Sequence, residues 1–241
     1  MNHEAFEYQL KVQTEHLGGR DLRIECLASL DRTIDDLFAF LQKEGREGDL
    51  ERLCPYFGVV WPSARALTEH LAEAIPAATG ARVLEIGCGL AVPSVFLALK
   101  GAQVIATDCH PAVPEFLARN LSLNGLVAGD VRYLELDWQQ LSHGAGASSG
   151  LGRFPWVVGS DILYESKQPV LVADTIERFL APGGRAIIAD PARPYIQPFA
   201  DEMERRGYRQ RLTVKRVRDS ESVVPASPSG LKDVFVLEFQ R

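Results

Sequence analysis

The chain has 241 residues, 46% of them hydrophobic, enough to bury a full α/β core as one domain with a modest extension. Its formal net charge of −6 excludes a nonspecific nucleic-acid binder, which needs surplus Lys and Arg to neutralise phosphates. Cysteines at 26, 54, 88 and 109 show no C-x-x-C pair and no zinc spacing, so reduced thiols and no metal are expected. The first residues, Met-Asn-His-Glu-Ala-Phe-Glu, are acidic and lack an apolar signal core. No run approaches the ~20 apolar residues that span a bilayer. A soluble, cytoplasmic protein without membrane contact is the expectation.

In chain order, Phe6–Thr14 and Asp21–Leu27 alternate as two strands around Gly18-Gly19, a hairpin. Ile34, Leu37, Phe38 and Leu41 recur at helical spacing, with Asp31 as N-cap and Gly45 as stop. Ser63 is expected to cap a second helix, which Pro76 and Gly80 end. A regular rhythm follows: strand 82–86, helix 92–100, strand 103–107, helix 112–124, strand 131–135, strand 155–160, helix 167–180, strand 184–190 and helix 195–206. Such alternation demands parallel crossovers, hence a doubly wound sheet covered on both faces. Tyr208–Val217 and Lys232–Phe239 have no helix between them and are expected to close the sheet as an antiparallel hairpin. Residues 142–152 are a polar, glycine-rich insert with no core-forming pattern.

The most informative stretch is Val83-Leu84-Glu85-Ile86-Gly87-Cys88-Gly89, followed by Val92-Pro93 at the start of a helical pattern. It reads as strand, tight glycine turn and helix N-terminus. Gly87 and Gly89 let the backbone turn and let a ligand approach the main chain. Asp108, at the end of the next strand, suits the two hydroxyls of a ribose, which points to a nucleoside-bearing cofactor. A dinucleotide fingerprint wants a third glycine, and that position is Val92. Glu85 would also repel a pyrophosphate, whereas it suits the sulfonium and ammonium of S-adenosylmethionine. An NAD-dependent oxidoreductase is disfavoured on both counts.

These residues resemble the cofactor loop of class I, seven-strand methyltransferases. Further segments narrow the resemblance: Val60-Trp61-Pro62-Ser63-Ala64, Asn120 with Asn124-Gly125, Leu136-Asp137-Trp138, and Ser160-Asp161-Ile162-Leu163-Tyr164-Glu165. They are similar to the lysine-methyltransferase-like methyltransferase family 16, which carries an Asp-x-x-Tyr motif after its fourth strand. The match runs from about Tyr56 onward and departs at Leu90-Ala91, where many relatives have a small residue and then glycine. It implies a mostly parallel, seven-stranded Rossmann-like sheet over residues 56–241, preceded by an extension over 1–55. It also implies S-adenosylmethionine as cofactor, leaving as S-adenosylhomocysteine, and a protein substrate with a target lysine.

Methyl transfer from a sulfonium is an in-line displacement with a neutral leaving group, so the enzyme must align the partners and supply a nucleophile with a free lone pair. A lysine amine has a pKa of about 10.4, so its neutral form at pH ~7.4 lies about 4 kcal/mol uphill. Desolvation in a closed pocket recovers part of this. Asp161 is expected at the end of the fourth strand, accepting hydrogen bonds from the amino group as base or as orienter. Tyr164 would wall the channel and offer its ring to a cation. The bland alternative has Asp161 capping a helix and Tyr164 packing. The resemblance favours the site.

Cofactor contacts are expected from Trp61, Glu85, Gly87, Gly89, Asp108, Asp137, Trp138 and Ser160. Asp108 takes the ribose, and Glu85 lies near the methionine end or holds the loop. Asp137 would accept from the adenine amine, and Trp138 packs on the ring or on the core. Trp61 lies near the methionine portion or anchors the N-terminal segment. Arg193, after the fifth strand, faces the substrate. Cys88 and Cys109 are read as small fillers, and His110-Pro111 as the start of a helix. Residues 219–230 form either a surface loop or a lid over the substrate mouth. Two other functions stay open: methylation of a small amine or metabolite, and a non-catalytic methyltransferase-like binding protein.

Overall fold

The computed structural model describes residues 6–142, 151–219 and 230–241. The chain starts with β1 (Leu10–Leu17) and β2 (Arg20–Leu27), an antiparallel hairpin of its own. It turns at Gly18-Gly19, both at positive φ, as the right-handed twist of a two-residue hairpin requires. The first strand lies later than the sequence alternation suggested. Phe6 and Tyr8 are instead drawn into an aromatic cluster with Phe40, Phe57 and Phe116. Helix α1 (Leu30–Lys43) is capped by Ser29, whose hydroxyl accepts from the Arg32 amide, and not by Asp31. Leu30 is buried, which pulls the helix start ahead of Asp31. Gly45, at φ 67°, ends it as expected.

A short α2 (Leu50–Leu53) leads to α3 (Pro62–Ala74). Here Trp61, and not Ser63, occupies the N-cap position, because Pro62 with its fixed φ already begins the helix. The alternating units then follow: β3 (Arg82–Ile86), α4 (Val92–Leu99), β4 (Gln103–Asp108), α5 (Val113–Leu123), β5 (Val131–Glu135) and α6 (Trp138–Ser142). After them come β6 (Phe154–Ser160), α7 (Gln168–Phe179), β7 (Leu180–Asp190) and α8 (Ile196–Arg205), then β8 (Arg209–Arg218) and β9 (Leu231–Gln240). Prolines sit in the first turn of α3, α4, α5 and α7, where a missing N–H costs nothing.

The large sheet has seven strands in the order β5-β4-β3-β6-β7-β9-β8. The first five run parallel, and β9 lies antiparallel between β7 and β8. Strand order reverses between β3 and β6, the switch point where open α/β sheets bind ligands beyond their carboxyl ends. Since β9 is antiparallel to both neighbours, β8 ends on that same edge, so the segment after Arg218 leaves from the site's side of the sheet. Residues 220–229, where a lid was considered, lie outside the described residues, as does most of the 142–152 insert.

Two apolar layers flank the sheet. One joins α3, α4, α5 and the hairpin through Phe96, Phe116, Leu22 and Leu71; the other joins α7 and α8 through Phe154, Phe199, Phe239 and Ile176. Each such side chain contributes roughly 1.5–3 kcal/mol on burial. The hairpin is also tied by polar bonds. Asn120 on α5 accepts from the Glu25 amide at 2.7 Å and donates to the carbonyls of Glu25 and Leu90. Asn124, one turn on, exchanges both bonds with Arg23. An asparagine side chain thus extends the β2 ladder and reaches the glycine turn. Asn120→Ala is expected to destabilise the fold by about 1–3 kcal/mol, because buried backbone groups lose their partner. A lowered urea midpoint with unchanged m-value checks this.

Candidate active site

The turn after β3 is built from left-handed residues: Gly87 at φ 63°, Gly89 at φ 51° and Ala91 at φ 57°. Ala91 takes this strained conformation as N-cap of α4, at the point where the sequence departs from its relatives. Besides backbone freedom, Gly87 is demanded by packing. A Cβ there would lie 2.7 Å from Ile162 Cγ2 and 3.2 Å from the Trp138 ring. At Gly89 a Cβ would press on the Phe57 carbonyl at 3.0 Å. The packing of the protein itself therefore calls for both glycines.

Glu85 is 1% exposed. Its Oε2 accepts from the Ser94 amide at 3.1 Å and from the Ser94 hydroxyl, while Oε1 has no partner. Burial pushes its carboxyl up to about 8, against the opposing bonds from Ser94. In the structure the side chain is thus bonded to the first turn of α4. It occupies the Ser94 amide there, at the end of a helix where a dinucleotide fold would bind pyrophosphate. Asp108 lies opposite, accepting from Gly89 at 2.9 Å and from His110 at 2.9 Å. Burial pushes this carboxyl up too, while those two amides pull it back. His110 itself packs on Phe57 at 4.2 Å and contacts the Leu53 carbonyl at 3.2 Å, joining the turn to α2.

Asp161 follows the last residue of β6 and sits in the left-handed region at φ 58°. Its amide donates to the Ala189 carbonyl of β7 at 3.0 Å. Arg193 Nη2 lies 2.6 Å from its Oδ1 as an ion pair, and the Ser63 hydroxyl and amide at the start of α3 also face the carboxylate. Neither carboxylate oxygen makes a well-aligned hydrogen bond, although both are buried. Burial raises the Asp161 carboxyl above the usual aspartate range, and Arg193 is the main opposing influence. Such a carboxylate still has lone pairs to offer a donor.

Tyr164 is 49% exposed at the rim, its amide held by Gln168 Oε1. Burial pushes its phenol up to about 12, with Glu165, Cys109 and Asp108 adding to the effect. Cys109 is pushed up to about 11, chiefly by burial, and is no reactive thiolate. Asp137 caps α6, accepting from the Gln139 amide at 2.8 Å. The Trp138 ring packs beside Gly87 against the second apolar layer, and its buried indole N–H has no partner. Trp61 donates from Nε1 to the Tyr56 carbonyl at 2.9 Å, the bond of an anchor for the segment entering α3. Ser160 ends β6 half-buried, paired with Ala189. Gly87, Gly89, Asp108, Asp137, Ser160 and Asp161 thus all lie at the carboxyl edge of the parallel strands. Two members were missed in the sequence: Ser63, taken for a cap, and Asp190, which holds Arg193. Neither has a local signal, because both act across elements.

The sequence model of the family described as lysine methyltransferase matches residues 55–204. The chain belongs to that family, methyltransferase family 16. Among curated relatives, an electron transfer flavoprotein beta subunit lysine methyltransferase of Xenopus laevis is 29% identical, over 58% of this chain and 53% of its own. A histone-arginine methyltransferase of the same organism is 30% identical, over 54% and 58%. The chain spans about half the length of the curated relatives it matches. Among solved structures, the T. thermophilus 16S rRNA N2 G1207 methyltransferase in complex with AdoMet and guanosine has a TM-score of 0.60 at 15% identity. That likeness covers 99% of this chain and 52% of the other, and it is one of fold. The family match itself stops before β8 and β9, so the closing hairpin of the family's sheet is seen here in the structure alone. No helix among the described residues is long and apolar enough to cross a membrane.

Proposed function

We propose that the chain is an S-adenosylmethionine-dependent N-methyltransferase acting on a lysine side chain of a protein. The observation that carries the reading is Asp161: a buried carboxylate at the sheet's switch point, with both oxygens unclaimed by aligned donors. The cofactor fits the chemistry of the cleft. Asp108, Asp137 and Asp161 stand at the carboxyl edge of the parallel strands, carboxylates that suit a cationic sulfonium and ammonium. In the first turn of α4 the Ser94 amide is already taken by Glu85, a carboxylate that would repel a pyrophosphate there. Bound there, the cofactor supplies a methyl group on a positively charged sulfur.

The residues do the rest. Asp108 accepts from the ribose hydroxyls, and Glu85 keeps the glycine turn against α4. Asp137 accepts from the adenine amine, with Trp138 and Ser160 closing the pocket and Trp61 bounding the methionine end. Asp161 accepts the N–H groups of the incoming amine and turns its lone pair toward the methyl carbon. Tyr164 stands at the mouth, where its ring face meets an approaching cation. Residues 1–55 are an extension that braces the loop through Asn120 and Asn124, and 56–241 form the methyltransferase domain. A cytoplasmic site and a protein rather than nucleic-acid substrate accompany this reading, in keeping with four cysteines that form no disulfide and a net charge of −6.

The test has two stages. S-adenosylhomocysteine at 100 times its dissociation constant should stabilise the protein by about 2.7 kcal/mol, and NAD should not. Labelled S-adenosylmethionine with cell extract should then mark a protein band. Label confined to small molecules would replace the protein substrate with a metabolite. Binding without any transfer would make the chain a non-catalytic member.

A further inference from the structure

We propose that Arg193 is a positioning residue, a clamp between the ends of β6 and β7 that aims the Asp161 carboxylate at the incoming amine. The inference rests on the function proposed above and adds a residue to it. Asp190 ends β7 and is fully buried. Its Oδ1 accepts the Arg193 amide at 2.7 Å, folding the chain back over Pro191-Ala192, with Ala192 at φ 65°. Its Oδ2 accepts Arg193 Nη1 at 3.2 Å. The other end of the same guanidinium, Nη2, lies 2.6 Å from Asp161 Oδ1. One planar group therefore reaches two carboxylates from two strands, which a lysine ammonium has neither the shape nor the donors to do.

Position matters here because, among the described residues, Arg193 is the cation that faces Asp161, while Asp190 is a second carboxylate beside them. The groups around it are Arg193, Asp190 and the Ser63 hydroxyl and amide. Burial favours its protonated form, which could not accept from an amine with both oxygens; Arg193 is the largest influence holding it ionised. The side chain of Arg193 is half-buried, so it acts behind Asp161 without being the group the substrate meets.

The experiment compares the wild type with Arg193→Gln and Arg193→Lys. The Asp161 carboxyl is followed by carbon NMR titration, assigned with Asp161→Asn. The rate of label transfer into extract protein is measured from pH 6 to 9, with S-adenosylhomocysteine thermal shift as a check on the cofactor half. Arg193→Gln should move the Asp161 titration to higher pH and leave the thermal shift intact. Transfer should fall on the order of 100-fold at neutral pH, the loss shrinking toward pH 9 as Asp161 ionises. Arg193→Lys should bring the titration back while recovering only part of the rate. It also keeps the comparison open if the glutamine variant fails to fold. An Asp161 titration unmoved by both variants, or a loss of rate independent of pH, overturns the proposal. No protein label with the wild type, alongside a titration that moves, would instead sink the lysine-methylation reading and leave the clamp standing.

Discussion

Asp161→Asn is expected to cut methyl transfer by about 10²- to 10⁴-fold, the range of a positioned acid–base group, while cofactor affinity stays unchanged. Asparagine is the right replacement because the site needs a residue at φ 58°, which Asn tolerates better than Ala. The backbone bond to Ala189 and the packing against Arg193 then survive, and what is removed is the charge and one acceptor. Two effects on stability oppose each other: removing a desolvated carboxylate saves free energy, and losing the ion pair with Arg193 costs it, in part made good by Asp190. The variant's melting temperature should therefore stay close to the wild type's. Transfer rates and thermal shift with S-adenosylhomocysteine, measured on the same preparation, check the result. An undiminished rate would remove Asp161 from the reaction.

The second large effect is one of stability. The Glu85 carboxyl is raised from the ordinary 4.5 to about 8 in the folded protein. Between those values the folded chain holds a proton that the unfolded chain has released, so stability falls as pH rises through the window. At about 1.36 kcal/mol per pH unit the full loss is about 5 kcal/mol. Glu85→Gln keeps an acceptor for Ser94 and cannot ionise. It should therefore match the wild type near pH 5 and be more stable by a few kcal/mol at pH 9. Urea unfolding at both pH values gives the difference directly, and a variant no better at pH 9 than at pH 5 would show that Glu85 does not carry this dependence.

Why much of this fold is legible in the sequence is itself physical. The parallel strands are buried on both faces, so β3, β4, β6 and β7 stand out as apolar runs, and prolines mark where their helices begin. The glycine turn and Asp108 are legible because backbone conformation and a strand end leave local signatures. What stayed hidden depends on distance. Ser29 and Asp31 are equally good caps until the burial of Leu30 chooses between them. Glu85 could face a ligand or a helix, and the sequence near it is the same either way. The meeting of Asp161 with Arg193 and Ser63, and of Arg193 with Asp190, joins residues from three parts of the chain that only the packed sheet brings together.

The order of the outer strands also bears on how the protein is made. Residues 231–240 lie between 180–190 and 209–218, so β8 has nothing to pair with when it leaves the ribosome, and β7 keeps an open edge beside the residues that hold the clamp. Until β9 emerges, the nascent chain carries β8 unpaired and β7 open along one edge, the kind of surface that joins to other chains. The basic side chains of β8, Arg209, Arg211, Lys215, Arg216 and Arg218, repel a second copy of the same strand through that interval. A run of positive charge on the outermost strand thus has a use during synthesis that the finished fold no longer displays.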